Sequence, residues 1–188
     1  MVFDLDGTVV DSRLDFPAMR AESGCPEGTG LLEFQVQLAT ARQRQRMGEI
    51  IHRYEMTGAK SARWMPGAQA LLARMDRAAM PIGIFTRNSR QAAGLTIESL
   101  GIPCTDLVAR EDAAAKPDPE GLHLFIERWQ LPGSRLLSVG DFRYDLEAAR
   151  NAHIRACLYD PAGDSPFREL ADLVIGHFDD LLGPLFGE

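Results

Sequence analysis

At 188 residues the chain can bury one substantial core and carry a smaller insert on it. Its 45% hydrophobic and 25% charged residues are ordinary for a globular protein, and no apolar run is long enough to span a bilayer. A formal charge of −7 argues against a nucleic-acid footprint, which needs a basic face, and the scattered Cys25, Cys104 and Cys157 form no C-x-x-C pair, disulfide framework or zinc site.

The chain opens on Val2-Phe3-Asp4-Leu5-Asp6-Gly7-Thr8-Val9-Val10, a short apolar run that ends on two carboxylates flanking one apolar residue. Alternation at a strand's end sends Asp4 and Asp6 one way and Leu5 the other; Gly7 permits a sharp bend, and Thr8 faces the same hollow. With only three residues ahead of Asp4, this first strand is expected to be very short. From about Leu14 to Met65 the pattern is helical, with no convincing strand. One helix opens at Phe16-Pro17 and ends at Gly24, a second begins near Leu31, and a third sets Met47, Ile50, Ile51 and Tyr54 at i, i+3, i+4, i+7. That stripe reads as core packing.

From Pro66 helices and strands alternate. Ala68, Leu71, Leu72 and Met75 mark a helix, and Pro81 to Phe85 a buried strand that ends at Thr86. Ser89 caps a helix that Gly101 stops, and Asp106 to Ala109 is a short strand. Pro119 begins a helix with Leu122, Phe125, Ile126 and Trp129 on one face. Leu136 to Val139 is a strand, Tyr144 to Asn151 a helix, Arg155 to Tyr159 and Leu173 to Ile175 the last strands, and Phe178 to Leu182 a closing helix. Such alternation implies right-handed crossovers and a mostly parallel sheet covered on both faces.

Three further chemical signals follow strands. Thr86 offers a hydroxyl, Lys116 stands just before a helix start where Pro117 and Pro119 restrict the backbone, and Gly140-Asp141-Phe142-Arg143-Tyr144-Asp145 places two more carboxylates four residues apart. Each has a bland alternative: a Thr closing a strand, a surface Lys, an Asp capping a helix beside an exposed acid. Jointly, four carboxylates, a hydroxyl and a lysine at the carboxyl edge of a parallel sheet make a site for Mg²⁺ and a phosphate.

With these residues in order along the whole chain, the sequence resembles the haloacid dehalogenase superfamily, in the phosphoglycolate phosphatase-like group. The family's D-x-D-G-T-[LV] stands as Asp4 to Val9, its second-motif hydroxyl as Thr86, its lysine as Lys116 in K-P-x-P, and its G-D-x-x-x-D as Gly140 to Asp145. The second motif departs from the common Thr-Asn, because Arg87 separates Thr86 from Asn88.

The resemblance implies an α/β fold with a Rossmann-like core at 1–13 and 66–188 and a helical cap at 14–65. It implies a Mg²⁺-dependent phosphatase acting on a small phosphorylated metabolite, in the cytoplasm, without membrane or nucleic-acid partners. Asp4 is then the nucleophile and Asp6 the acid and base. Thr86, Arg87, Asn88 and Lys116 bind substrate, with Thr86 and Lys116 holding phosphoryl oxygens. Asp4, the Asp6 carbonyl and Asp141 hold the metal, with Asp145 orienting around it. A phosphomutase on the same core is the nearest alternative; a phospho-acceptor signalling domain or a non-catalytic phosphate-binding domain is the alternative from another class. In the cap, Arg20, Arg42, Arg44, Arg46 and Arg53 are candidates to bind a leaving-group anion.

Overall fold

A computed structural model describes residues 1–187. Six parallel strands form the central sheet: β1 (Val2–Phe3) is followed on it by β4 (Gly83–Phe85), β5 (Asp106–Val108), β6 (Leu137–Gly140), β7 (Arg155–Tyr159) and β8 (Leu173–Ile175). Their order is β5-β4-β1-β6-β7-β8. The chain thus leaves β1 for one side of the sheet and later returns to the other. That reversal opens a crevice above the carboxyl end of β1, where an α/β sheet takes its ligands.

Period-2 alternation divides the core between the sheet's two faces. Phe3, Ile84, Val139, Cys157 and Tyr159 join one buried cluster with Leu71, Leu72 and Met75 of α4 (Ala68–Arg77) and Ala93 of α5 (Arg90–Leu100). Val2, Phe85, Val108 and Leu158 join the other, with Leu122 and Phe125 of α6 (Glu120–Trp129) and Leu146 of α7 (Arg143–Asn151). A fully buried aromatic such as Phe125 contributes about 3–5 kcal/mol by the usual truncation scale. The chain closes on a 3₁₀ turn over Phe178–Leu181 and the short α8 (Leu182–Phe186).

Between β1 and α4 lie α1 (Phe16–Ser23), α2 (Leu31–Gln37) and α3 (Ala41–Ser61). Asp15 caps α1 by accepting from Ala18 N at 2.9 Å, and Gly24 ends it at φ 70°. Thr40 and Gln43 form a capping box that starts α3. These helices share their own small core of Met19, Cys25, Met47 and Ile51.

The stretch expected to lack strands contains one. β2 (Val10–Asp11) pairs antiparallel with β3 (Arg63–Trp64), so the chain's exit to the helices is bonded to its return. Two residues show no periodicity, which is why the ribbon has no signature in the sequence. α6 ends at Trp129, because Gln130 takes the left-handed conformation at φ 51°. Among the described residues no helix is long and apolar enough to cross a membrane.

Candidate active site

Three neighbouring strands each end one residue before a functional side chain. Asp4 follows β1, with its N–H donating to Val139 O at 2.8 Å; Thr86 follows β4, with its N–H donating to Val108 O at 3.0 Å; Asp141 follows β6. Because β4, β1 and β6 are adjacent, sheet pairing alone brings the three together. After Leu5, which is fully buried, the chain folds back tightly: the N–H groups of Val9 and Val10 both donate to Leu5 O at 2.9 Å. Gly7 makes this possible at φ 84°, and a Cβ there would stand 2.5 Å from Asp141 Oδ2.

Lys116, in the loop after β5, is 3% exposed and donates to Asp4 Oδ1 and Asp145 Oδ1, both at 2.5 Å. An ammonium is buried here because two carboxylates surround it. Burial pulls the Lys116 pKa down, but Asp145 and Asp4 outweigh it and hold the group above its ordinary value. Asp145 also accepts from Phe142 N at 3.1 Å with its second oxygen. The bland alternative therefore fails at both acids: the N-cap of α7 is Phe142 and not Asp141, and Asp145 is buried and ion-paired rather than exposed.

Asp4, Asp141 and Asp145 bring one carboxylate oxygen each to within 4.8 Å of one another. Thr8 holds the middle one, donating to Asp141 Oδ1 at 2.9 Å. Burial pushes Asp4 well above the usual carboxylate range, against the Lys116 charge, with Asp145 and Asp141 adding to the push. Burial and then the Asp145 charge raise Asp141 to about 6, against the Thr8 hydrogen bond. The clustered negative charge is under-compensated by one lysine. An all-oxygen trio of this kind suits a hard divalent cation.

Asp6 stands apart from that trio. Its Oδ2 accepts from Asn88 Nδ2, its Oδ1 is buried without a partner, and burial raises its pKa against hydrogen bonds from Ser12 and Asn88. Asn88 reaches Asp6 because its N–H turns back onto Thr86 Oγ1 at 3.1 Å, a bend that absorbs the intervening Arg87. Arg87 points elsewhere: it donates to Lys116 O at 3.1 Å, lies over the Tyr144 ring at 4.4 Å, and pairs with Glu33 of α2 at 2.6 Å.

A cavity of about 540 Å³ opens over these groups, roofed by Leu14, Phe16, Met19, Leu31, Leu32 and Ile51. Of the five candidate arginines on the helical segment, only Arg20 lines it, and that guanidinium donates to Pro26 O and Thr29 O at 2.8 and 2.6 Å. Arg53 pairs with Glu22, and Arg44 donates to Leu38 O at 2.5 Å.

Sequence reasoning passed over Glu55 and Arg110. Glu55 of α3, 4% exposed, meets Arg110 at 2.6 and 3.2 Å and accepts from Ser89 N at 3.2 Å. The available signal was an acid four residues after Ile51, on the apolar stripe that begins at Met47.

Comparison with known proteins agrees with this geometry. The model of the haloacid dehalogenase-like hydrolase family matches residues 1–153. The N-acetylmuramic acid 6-phosphate phosphatase of Pseudomonas aeruginosa is 27% identical over 215 residues, covering 98% of this chain and 93% of its own. A phosphoglycolate phosphatase of Xanthomonas campestris is 28% identical, covering 93% and 90%. The crystal structure of a putative haloacid dehalogenase-like hydrolase from Bacteroides fragilis superposes with a TM-score of 0.79 at 20% identity, over 96% of this chain and 97% of that one. Sheet order, site and family match lead to one conclusion: the chain belongs to the haloacid dehalogenase-like hydrolases.

Proposed function

We propose that the protein is a Mg²⁺-dependent phosphatase that hydrolyses a small phosphate monoester through an aspartyl-phosphate on Asp4. The observation that carries this reading is the pairing of a buried Lys116 with Asp4, beside a second acid, Asp6, that has its own separate hydrogen-bond partners. Two relatives named as phosphatases support it.

In this reading an Asp4 oxygen attacks phosphorus while the ester P–O bond breaks, and Asp6 donates its proton to the departing oxygen. Burial keeps Asp6 protonated to higher pH than an exposed acid, which suits the donor role. Water then attacks the acyl phosphate, Asp6 takes its proton, and phosphate leaves with Asp4 restored. Lys116 and Thr86 bind phosphoryl oxygens, and Lys116 fixes the direction of the Asp4 carboxylate. Asn88 holds Asp6 toward the cavity. Both Asp145 oxygens are engaged, by Lys116 and by Phe142 N, so its part is to orient Lys116 and the metal's surroundings.

Mg²⁺ fits beside the oxygens of Asp4, Asp141 and Asp145; in this reading Asp4, Asp141 and the Asp6 backbone carbonyl would hold it, with Asp145 orienting around it. When bound, the ion offsets the repulsion between an anionic nucleophile and an anionic phosphate. In the same reading residues 14–65 form a cap that closes over the substrate.

The test is acid-quenched enzyme after incubation with a ³²P-labelled ester. Wild type is expected to carry label on Asp4, and Asp4→Asn to carry none and to lose turnover while melting like wild type. Label on another residue, or turnover in Asp4→Asn, overturns the covalent reading.

A further inference from the structure

Two core guanidiniums that line the cavity are paired with acids of the cap, and they are held differently. Arg110 meets both oxygens of the buried Glu55, whose remaining capacity is filled by Ser89 N. This pair is closed. Arg87 meets Glu33 through one oxygen only; the Glu33 side chain is 37% exposed, but its Oε2 is buried without a hydrogen-bond partner. A pairing that leaves one carboxylate oxygen buried and unpaired forfeits part of what the contact gains, so it yields more readily than the closed Arg110–Glu55 pair.

Glu33 reaches Arg87 by curling over the start of its own helix. A Cβ on Gly30 would stand 1.8 Å from Glu33 Oε2, so the carboxylate lies where residue 30 has no side chain. Arg87 does not depend on it. The guanidinium is already placed by Lys116 O and by the Tyr144 ring, one residue from Thr86, which binds phosphoryl oxygen in the proposed reaction.

We infer that Arg87 is the receptor for a carboxylate on the leaving group, and that Glu33 holds this receptor in the free protein and yields it to substrate. The inference rests on the phosphatase reading above. A guanidinium fork matches a carboxylate in plane and can take it with two donors, where Glu33 uses one. A neutral leaving group has nothing to offer Arg87 that Glu33 does not already supply. The other cavity cations are less suited: Arg20 is bound to backbone carbonyls, and Arg13, 63% exposed, has only a loose contact with Asp11 at 3.6 Å.

The roof adds a second criterion. Leu14, Phe16, Met19, Leu31, Leu32 and Ile51 present apolar surface, and about 540 Å³ is the size of pocket that encloses a ring-sized ligand rather than two carbons. The substrate class is therefore the phosphate monoester of a hydroxy acid with a ring-sized, partly apolar skeleton.

The test uses the three isomeric carboxyphenyl phosphates, each against the carbamoylphenyl phosphate of the same shape, with Mg²⁺ present. For the best isomer, wild type should favour the carboxylate by about tenfold in kcat/KM, chiefly through KM, as one charge-assisted contact implies. Glu33→Gln should enlarge that ratio severalfold and leave phenyl phosphate hydrolysis nearly unchanged. Arg87→Met should bring it to about one, and Arg13→Ala should leave it as in wild type. If Arg87→Met does not fold, Arg87→Lys should still reduce the ratio, since it loses the fork. A ratio near one in wild type for every isomer, or a preference that follows Arg13 instead, overturns the inference. Inactivity of wild type on phenyl phosphate counts against the phosphatase reading alone. Calorimetric binding of the same pairs to Asp4→Asn protein then decides this one.

Discussion

Asp6 has the contacts of a proton carrier: one oxygen fixed by Asn88, the other buried and free. Asp6→Asn keeps the shape and removes the proton. With an aryl ester the leaving oxygen needs little protonation, so phosphorylation should suffer less than hydrolysis of the acyl phosphate. A burst of phenol followed by turnover reduced by about 10²–10⁴ is the expected trace in stopped flow. Equal losses on aryl and alkyl esters without a burst would leave Asp6 a structural part. Asp4, Asp6, Thr86, Asp141 and Asp145 were legible in the sequence because each stands at or soon after the end of an apolar run, and Lys116 because it precedes Pro117 and Pro119 at a helix start. Glu33, Glu55 and Arg110 were not, since their partners come from distant elements and only docking brings them together. Asn88 falls between: the inserted Arg87 obscured it, and one backbone bond to Thr86 restores it.

Among elements, α3 decides how the helical segment rests on the core, through its packing against α5. Its Met47 and Ile51 pack inside the helical segment, and Glu55, one turn further on, reaches across to Arg110 and to Ser89 N at the start of α5, so the segment meets the core through a buried ion pair. Removing one partner strands the other, and Glu55→Ala should cost about 3 kcal/mol, seen as a lower urea midpoint. Arg110 is 24% exposed, so it can regain some water and the loss should fall at the low end of that range. A change below ~0.5 kcal/mol would mean the packing of α3 against α5 seats the helix without the ion pair. The 3.6 period made α3 readable from Met47 to Tyr54, and its docking partner was not, because periodicity marks a face but not what covers it.

At the scale of the whole molecule, the buried acids make the folded state sensitive to pH and cation together. Asp141 is raised to about 6 from a value near 3.8, so between those limits the folded protein binds more protons than the unfolded one. Without metal, stability should therefore be highest below pH 4 for this group and fall as pH rises through 6. Mg²⁺ needs the deprotonated acids, so its stabilisation should grow over the same interval. Melting curves at pH 5 and 7, with Mg²⁺ and with chelator, should show a shift of a few degrees at pH 7 and less at pH 5; for a chain this size ~2–4 °C corresponds to 1 kcal/mol. An equal shift at both, or none, would remove these acids from the metal site. The ribbon of β2 and β3 has a mechanical consequence at this scale. Val10 and Asp11 on the way out are bonded to Trp64 and Arg63 on the way back, so the two crossings form one strap rather than two loose threads. A strap bends across its width and resists shear, so on the proposed reading the helical segment hung from it should swing like a door on a single pin rather than slide sideways off the frame.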